Sequence, residues 1–374
     1  MSQPLDKERP NGTAMRKHAD RSEILRYRDD LAAPSGTVPV RCQPVELDPR
    51  VLFVVPGDGQ GSSMIFVRRQ CEALASEGIA AHLFYLGSRT SPHHLLREYR
   101  RFRAELARLH PSVIHAHFGT VTALFAALAS GFLPLIITYR GSDLNPPPQS
   151  YSWQANARAS FGRVFSQLAA LRAQRIICVS LQLRNRLWWN RGMVTILPSG
   201  VDPAVFRPGS RSLARLRLGW SDRERVVLFN AGHDVLVKRL DLAESAIQWA
   251  RRDVPDLRLE ILDGRTDPAL VPEMMNAADC LLLTSVSEGS PTVVQEALAC
   301  DLPIVSVLVG DIVERLEGVR NSTVASADPS VLGHALVDIV EPPRRSNGSS
   351  KVAGFSSRPI ARRLKEIYKE LAGA

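Results

Sequence analysis

Cysteine is scarce in this chain, and its pattern shows no pairing: Cys42, Cys71, Cys178, Cys280 and Cys300 are odd in number and none has a CxxC neighbour. Their arrangement argues against a disulfide scaffold and structural zinc, and for a reducing, cytoplasmic compartment. The N-terminal stretch has no apolar core, so no signal peptide is expected. The longest run without charge, 120–139, nearly reaches the length of a membrane span, but Gly131 and Pro134 break it. A buried helix followed by a core strand accounts for it better. A GxGxxG dinucleotide turn, a phosphate-loop lysine, an Asp-x-Asp pair and an internal repeat are all missing. No nucleic-acid motif is present and the basic residues are scattered, so no nucleic acid partner is expected.

What is present is enough apolar material for two sizeable cores: 374 residues, 45% of them hydrophobic. The net charge of +9 attracts anionic partners, small anionic ligands or the surface of an acidic membrane.

Residues 1–47 mix both charge signs with Pro, Gly and Ser and show no sustained period, which predicts a disordered extension. From Val51 onward, short apolar runs alternate with helical periods. Strands are expected at 51–55, 80–85, 113–117, 135–139 and 175–179, with helices between them at 64–77 and 92–109. This alternation predicts a parallel, doubly wound sheet with right-handed crossovers. The segment 196–208, ILPSGVDPAVFRP, reads as a crossing between domains with its boundary near 206, where Gly200 supplies a positive backbone angle. A second series follows, with strands at 226–231, 257–262 and 280–283 and a short last strand within 321–326. The predicted class is α/β, with two Rossmann-like doubly wound domains over 48–206 and 207–341. A linker over 342–357 precedes an amphipathic helix within 358–374 that carries Leu364, Ile367, Tyr368 and Leu371 on one face.

The stretch 284–307, TSVSEGSPTVVQEALACDLPIVSV, organises the rest. It reads as the end of a strand, a tight loop and a helix, with Ser290 as N-cap and Pro291 in the first helical position. A helix opening at the carboxyl edge of a parallel sheet presents free amides and a positive dipole end to an anion. Glu288 and Glu296 flank that site with seven residues between them. Carboxylates so placed suit vicinal sugar hydroxyls; taken alone they also read as a solvated surface pair.

Glu288, Gly289, Ser290 and Pro291, then Glu296, Ala297, Leu298, Ala299 and Cys300, then Leu302 and Pro303, resemble the donor signature of the retaining nucleotide-sugar glycosyltransferases of family 4. That family has the GT-B fold, two Rossmann-like domains facing a central cleft, and the likeness spans roughly residues 50–372. Asp301 fills a turn whose backbone Asp tolerates.

The resemblance implies further residues. The turn 57–63 would approach the donor through Gly61 and Ser62, although alone it reads equally as a tight turn. In His115-Ala116-His117, one histidine is expected to enter the packing while His117, at the strand's end, lies beside the transferred sugar. Gly141 and Asp143 would serve the acceptor side, with Arg140 where the family usually has His; Asp143 equally suits a cap. Gly232, His233, Lys238, Arg239 and Asp263 would bind the donor together with Glu288, Gly289, Ser290, Pro291, Thr292, Val293 and Glu296. Lys238 would neutralise the diphosphate. His233 stands where the family has Arg, so His233 in its protonated form, Arg239 or Arg265 would supply the second cation. Trp188 and Trp189 read as core packing or, if exposed beside arginines, as contact with an acidic membrane.

The implied chemistry is retaining transfer from a nucleoside diphosphate sugar to a glycan or lipid-linked hydroxyl. Attack comes from the face the phosphate leaves, and no metal or cofactor takes part. Glu288 would hold the sugar and Glu296 the ribose. A nucleotide-sugar epimerase and a non-catalytic nucleotide-sugar-binding assembly protein are the alternatives, the latter favoured by His233 in place of Arg.

Overall fold

A computed structural model describes residues 49–60, 64–87, 91–148, 151–232, 234–263 and 265–373. The expected N-terminal extension, Gly61, Ser62 and His233 lie outside the described residues.

Strands β1 (Arg50–Pro56), β2 (Ala80–Leu86), β3 (Val113–His117), β4 (Leu135–Tyr139), β5 (Arg175–Cys178) and β6 (Val194–Ile196) form one sheet. Their order is β2-β1-β3-β4-β5-β6, and every neighbouring pair is parallel. Helices cover both faces, so β1 reads as a continuous apolar run. Leu52 and Val54 enter one core while Val51, Phe53 and Val55 enter the other. The second sheet holds β7 (Arg225–Gly232), β8 (Leu257–Asp263), β9 (Cys280–Leu283), β10 (Ile304–Val307) and β11 (Thr323–Ala325). Its order is β11-β10-β9-β7-β8, again parallel throughout. The α/β doubly wound class is therefore realised twice.

The chain crosses between the two halves at Val201 and again near Ser356. The two crossings are hydrogen bonded: Val201 N donates to the Phe355 carbonyl at 3.1 Å and Ser357 N to the Val201 carbonyl at 2.8 Å. Gly200 does not have the expected positive φ. It is needed because a Cβ there would lie 2.7 Å from Ser357 Cα. The final helix, Ser357–Ala372, then packs on the first sheet, burying Ile360, Ala361, Leu364, Ile367 and Tyr368. Arg358 and Arg362 fasten it to Glu77, at the end of the helix Ile65–Ser76.

The uncharged run 120–139 becomes the helix Thr120–Ala129 and β4. Among the described residues, no helix is long and apolar enough to cross a membrane. Trp188 and Trp189 divide the two roles: Trp188 is exposed, and Trp189 packs on the core.

Candidate active site

The strand order of the second sheet reverses between β9 and β7, the place where an open parallel sheet leaves a crevice for a ligand. A cavity of about 380 Å³ lies there. Arg140, Gly141, Tyr151 and Ser199 line it from one side, and Asn230, Lys238 and residues 287–293 from the other. A second cavity of about 200 Å³ adjoins it through Asn230, Thr292 and Val293, and is lined also by Arg69, Gly232, Asp263 and Glu296.

The loop after β9 does not start its helix as expected. Pro291, with ψ 120°, is the N-cap, and the helix runs Thr292–Ala299. The first turn closes from Val294 N to the Pro291 carbonyl at 3.1 Å. Ser290, freed from capping, accepts instead from Gln295 Nε2 at 3.3 Å. The amides of Thr292 and Val293, at the start of the helix, have no carbonyl one turn earlier to bond, and both residues line the shared wall of the two cavities.

Lys238 closes the short helix Val235–Lys238, which the Asp234 carboxylate caps through Val237 N at 3.1 Å. Thr284 Oγ1 donates to the Lys238 carbonyl at 2.8 Å, tying this turn to the end of β9. Lys238 Nζ in turn donates to Glu288 Oε1 at 2.5 Å, with both side chains largely buried. Glu296 accepts from Arg69 Nη1 at 3.0 Å, and burial, opposed by Arg69, pushes its carboxyl up to about 7.

The two halves meet at Gly289. A Cβ there would stand 2.0 Å from the Arg140 carbonyl oxygen, so only glycine lets these loops touch. Gly141 sits opposite, where a Cβ would be 3.1 Å from Gly289 N. Asn145 Nδ2 donates to the Glu288 carbonyl at 3.0 Å, and the Tyr151 hydroxyl donates to Asp234. Gly310 supports the loop from behind, with φ 58° and space for a Cβ only 3.0 Å from the Gly289 carbonyl.

Several expected positions are corrected. His115 and His117 are both buried and both lie on the face covered by the final helix, because residues two apart in a strand point the same way. His115 bonds Tyr368 and Thr138, each at 2.7 Å. His117 does not line the cavity. Its Nδ1 accepts from Arg140 Nη2 at 3.1 Å, and burial holds it well below the usual imidazole range. Asp143 is fully buried and accepts from the amides of Gly119, Arg140 and Gly141 at 2.8–3.1 Å, so it braces the β3 and β4 loops without facing the cleft. Arg239, in the left-handed region at φ 57°, turns away to pair with Asp241. Arg265 is exposed and bound to Asp263.

The cation that does line the cavity with Lys238 is Arg140. Its Nη1 donates to Ser199 Oγ at 2.8 Å, it lies 4.0 Å over the Phe66 ring, and burial lowers it only to about 10. It therefore keeps its charge at neutral pH. Sequence reasoning noted Arg140 only as a replacement, and missed Arg69 and Asn230. Among the described residues, no group of three or more His, Cys, Asp or Glu is placed to hold a metal ion.

The model named Glycosyltransferase Family 4 matches residues 58–205, and that named Glycosyl transferases group 1 matches residues 227–341. The glycosyltransferase TuaC of Bacillus subtilis, named for teichuronic acid biosynthesis, is 28% identical over 54% of this chain and 55% of its own. The aligned parts span between about a third and just over half of the first curated relatives' own lengths. Among solved structures, sucrose-phosphate synthase of Thermosynechococcus elongatus matches with a TM-score of 0.70 at 19% identity, covering 86% of this chain and 98% of that one. HepE of Anabaena, solved with UDP-glucose, gives 0.66 at 17% identity over 86% and 99%. At such identities the two structures share the fold.

Proposed function

We propose, because this chain belongs to the family 4 glycosyltransferases of GT-B fold, that it moves a sugar from a nucleoside diphosphate sugar to a hydroxyl acceptor, with retained configuration and without a metal ion. The acceptor is a glycan or lipid-linked group used in cell-surface polysaccharide or glycolipid synthesis, reached at the inner face of the membrane. One observation carries the reading: Lys238 with Glu288, and Glu296, line adjoining cavities that share the first turn of one helix.

In this arrangement the diphosphate lies against Lys238, Arg140 and the free amides at Thr292 and Val293, which stabilise the charge that grows as it leaves. Glu288, oriented by Lys238, accepts from hydroxyls of the transferred sugar, and Glu296 accepts from the ribose. The acceptor oxygen bonds to the anomeric carbon on the face from which the phosphate oxygen departs, and the acceptor's proton passes to that oxygen. His117 acts through Arg140 as a positioning residue. Contact between the Gly141 and Gly289 loops keeps water from the reacting centre.

The test is to incubate the protein with a panel of nucleotide sugars and candidate acceptors in EDTA, and to read the anomeric configuration of the product by NMR. Retained configuration with undiminished rate is expected. Inversion, or a rate restored only by added divalent metal, would overturn the reading.

A further inference from the structure

We propose that the face built by the helices Thr120–Ala129 and Trp153–Ala170 and the turn at Trp188 is where the protein rests on a bilayer of anionic lipid. The inference deepens the proposed function and rests on it for what the membrane would bring, a lipid-linked acceptor.

The charge pattern is the first observation. From Leu106 to Val201 the only acidic residue is Asp143, and Asp143 is fully buried. The same stretch carries Arg158, Arg163, Arg172, Arg184 and Arg191 among its basic residues. Arg158 and Arg191 are exposed. Arg172, Arg184 and Arg191 donate to backbone carbonyls, at Leu133, Arg191 and Leu187, so none of their charge is cancelled by a carboxylate there. This stretch of chain therefore contributes only positive charge to the surface it builds.

The second observation is apolar. Phe161, Val164, Leu168 and Leu171 recur at helical spacing and are all exposed, so they form a stripe along the outer side of their helix. The neighbouring helix lies close: a Cβ at Gly162 would meet Thr120 Cγ2 at 3.1 Å. That helix adds Leu128 and leads to Phe132, whose side chain is fully exposed. On the other flank, Trp188 N donates to Gln167 Oε1 at 3.0 Å and Asn190 Nδ2 to the Ala170 carbonyl at 2.8 Å, which sets the exposed Trp188 indole beside the stripe. An exposed apolar stripe of this extent marks an interaction surface. Exposed aliphatic and aromatic side chains on a stretch whose exposed charges are all arginines match the interface of an anionic bilayer. Single-stranded nucleic acid would match the charge, but the aliphatic part of the stripe gives its bases nothing to stack on.

The experiment is co-sedimentation of the full chain with phosphatidylcholine vesicles and with vesicles containing phosphatidylglycerol, at low and high salt. The wild type is compared with a Phe132→Ser/Phe161→Ser double variant and with Arg158→Glu. We expect at least tenfold preference for the anionic vesicles, weakened by salt and by Arg158→Glu, and loss of at least tenfold in the double variant. Thermal stabilisation by a nucleotide sugar should be unchanged in all three. The inference is overturned by absence of binding, by binding that both variants retain, by release with competing RNA, or by a wild-type dimer that the double variant dissociates. Stabilisation by no nucleotide sugar, with vesicle binding intact, would instead sink the functional reading and leave the docking face standing.

Discussion

Arg69 Nη1 and Glu296 Oε1 stand 3.0 Å apart across the cleft, one on the helix after β1 and the other on the helix after β9. The pair is partly shielded from water, and it occupies the carboxylate proposed to receive the ribose. On the proposed reading, a donor entering the adjoining cavities would share or displace this contact, which would couple the grip of the two halves on each other to donor binding.

Glu296 makes that coupling sensitive to pH. Its carboxyl, ordinarily near 4.5, is raised to about 7 by burial. The native protein therefore holds a proton that the unfolded chain has released. The stabilisation is complete below pH 4.5 and is lost as pH rises toward 7, by up to about 3 kcal/mol. Denaturant titrations from pH 4.5 to 8 should show this decline in the wild type and its absence in Glu296→Gln. Donor affinity should run the other way, rising as pH passes 7, because only the ionised carboxylate accepts from both ribose hydroxyls. In Glu296→Gln it should be about tenfold or more weaker and flat with pH.

Lys238→Met removes the charge closest to Glu288. If Lys238 faces the leaving diphosphate, kcat should fall by about a hundredfold or more, with a smaller effect on donor binding. Glu288 would be left largely buried without its partner, so a loss of about 1–3 kcal/mol in stability is also expected by chemical denaturation. A fall in stability alone, with kcat intact, would remove Lys238 from the proposed mechanism.

Gly289→Ala places a methyl group where the Arg140 carbonyl now lies. Two loops from different halves can separate, so the variant should fold with a near-normal melting temperature yet lose about a hundredfold in kcat/KM through misplaced groups. Small-angle scattering should report a more open protein. Unchanged activity would show that closure at this point is not required.

Asp143→Ala leaves the amides of Gly119, Arg140 and Gly141 without their shared acceptor. Buried donors left unmet cost about 1–3 kcal/mol each, and a loss of several kcal/mol should appear in thermal unfolding. Asp143→Asn, which keeps an acceptor oxygen, should recover part of it.

The strands β3, β4 and β9 were legible to the residue because each is a short run rich in aliphatic residues, without Gly, Pro or charge, and ends at a polar or glycine-containing turn. β6 was not: it is three residues long, partly exposed, and runs straight into a motif that reads as a crossing. The loop at Glu288 and the position of Lys238 were visible as local patterns. Their partners were not, since Arg69 lies 227 residues from Glu296 and Asn145 lies 143 from Glu288. Strand alternation already places His115 and His117 on one face. Their depth depended on the final helix, whose Tyr368 reaches His115, a contact no local signal carries. Asp301 kept the positive φ its turn needs, whereas Gly200 is there for close approach.

The central claim, a metal-independent nucleotide-sugar site anchored by Glu296, is tested most directly by thermal shift with UDP-, GDP-, ADP- and CDP-sugars in EDTA, comparing wild type with Glu296→Ala. A ligand that binds only the native protein raises its melting temperature. The account predicts a rise of roughly several degrees with one donor, unaffected by EDTA and lost in the variant. No shift with any donor at millimolar concentration, or a shift that EDTA abolishes, would contradict it.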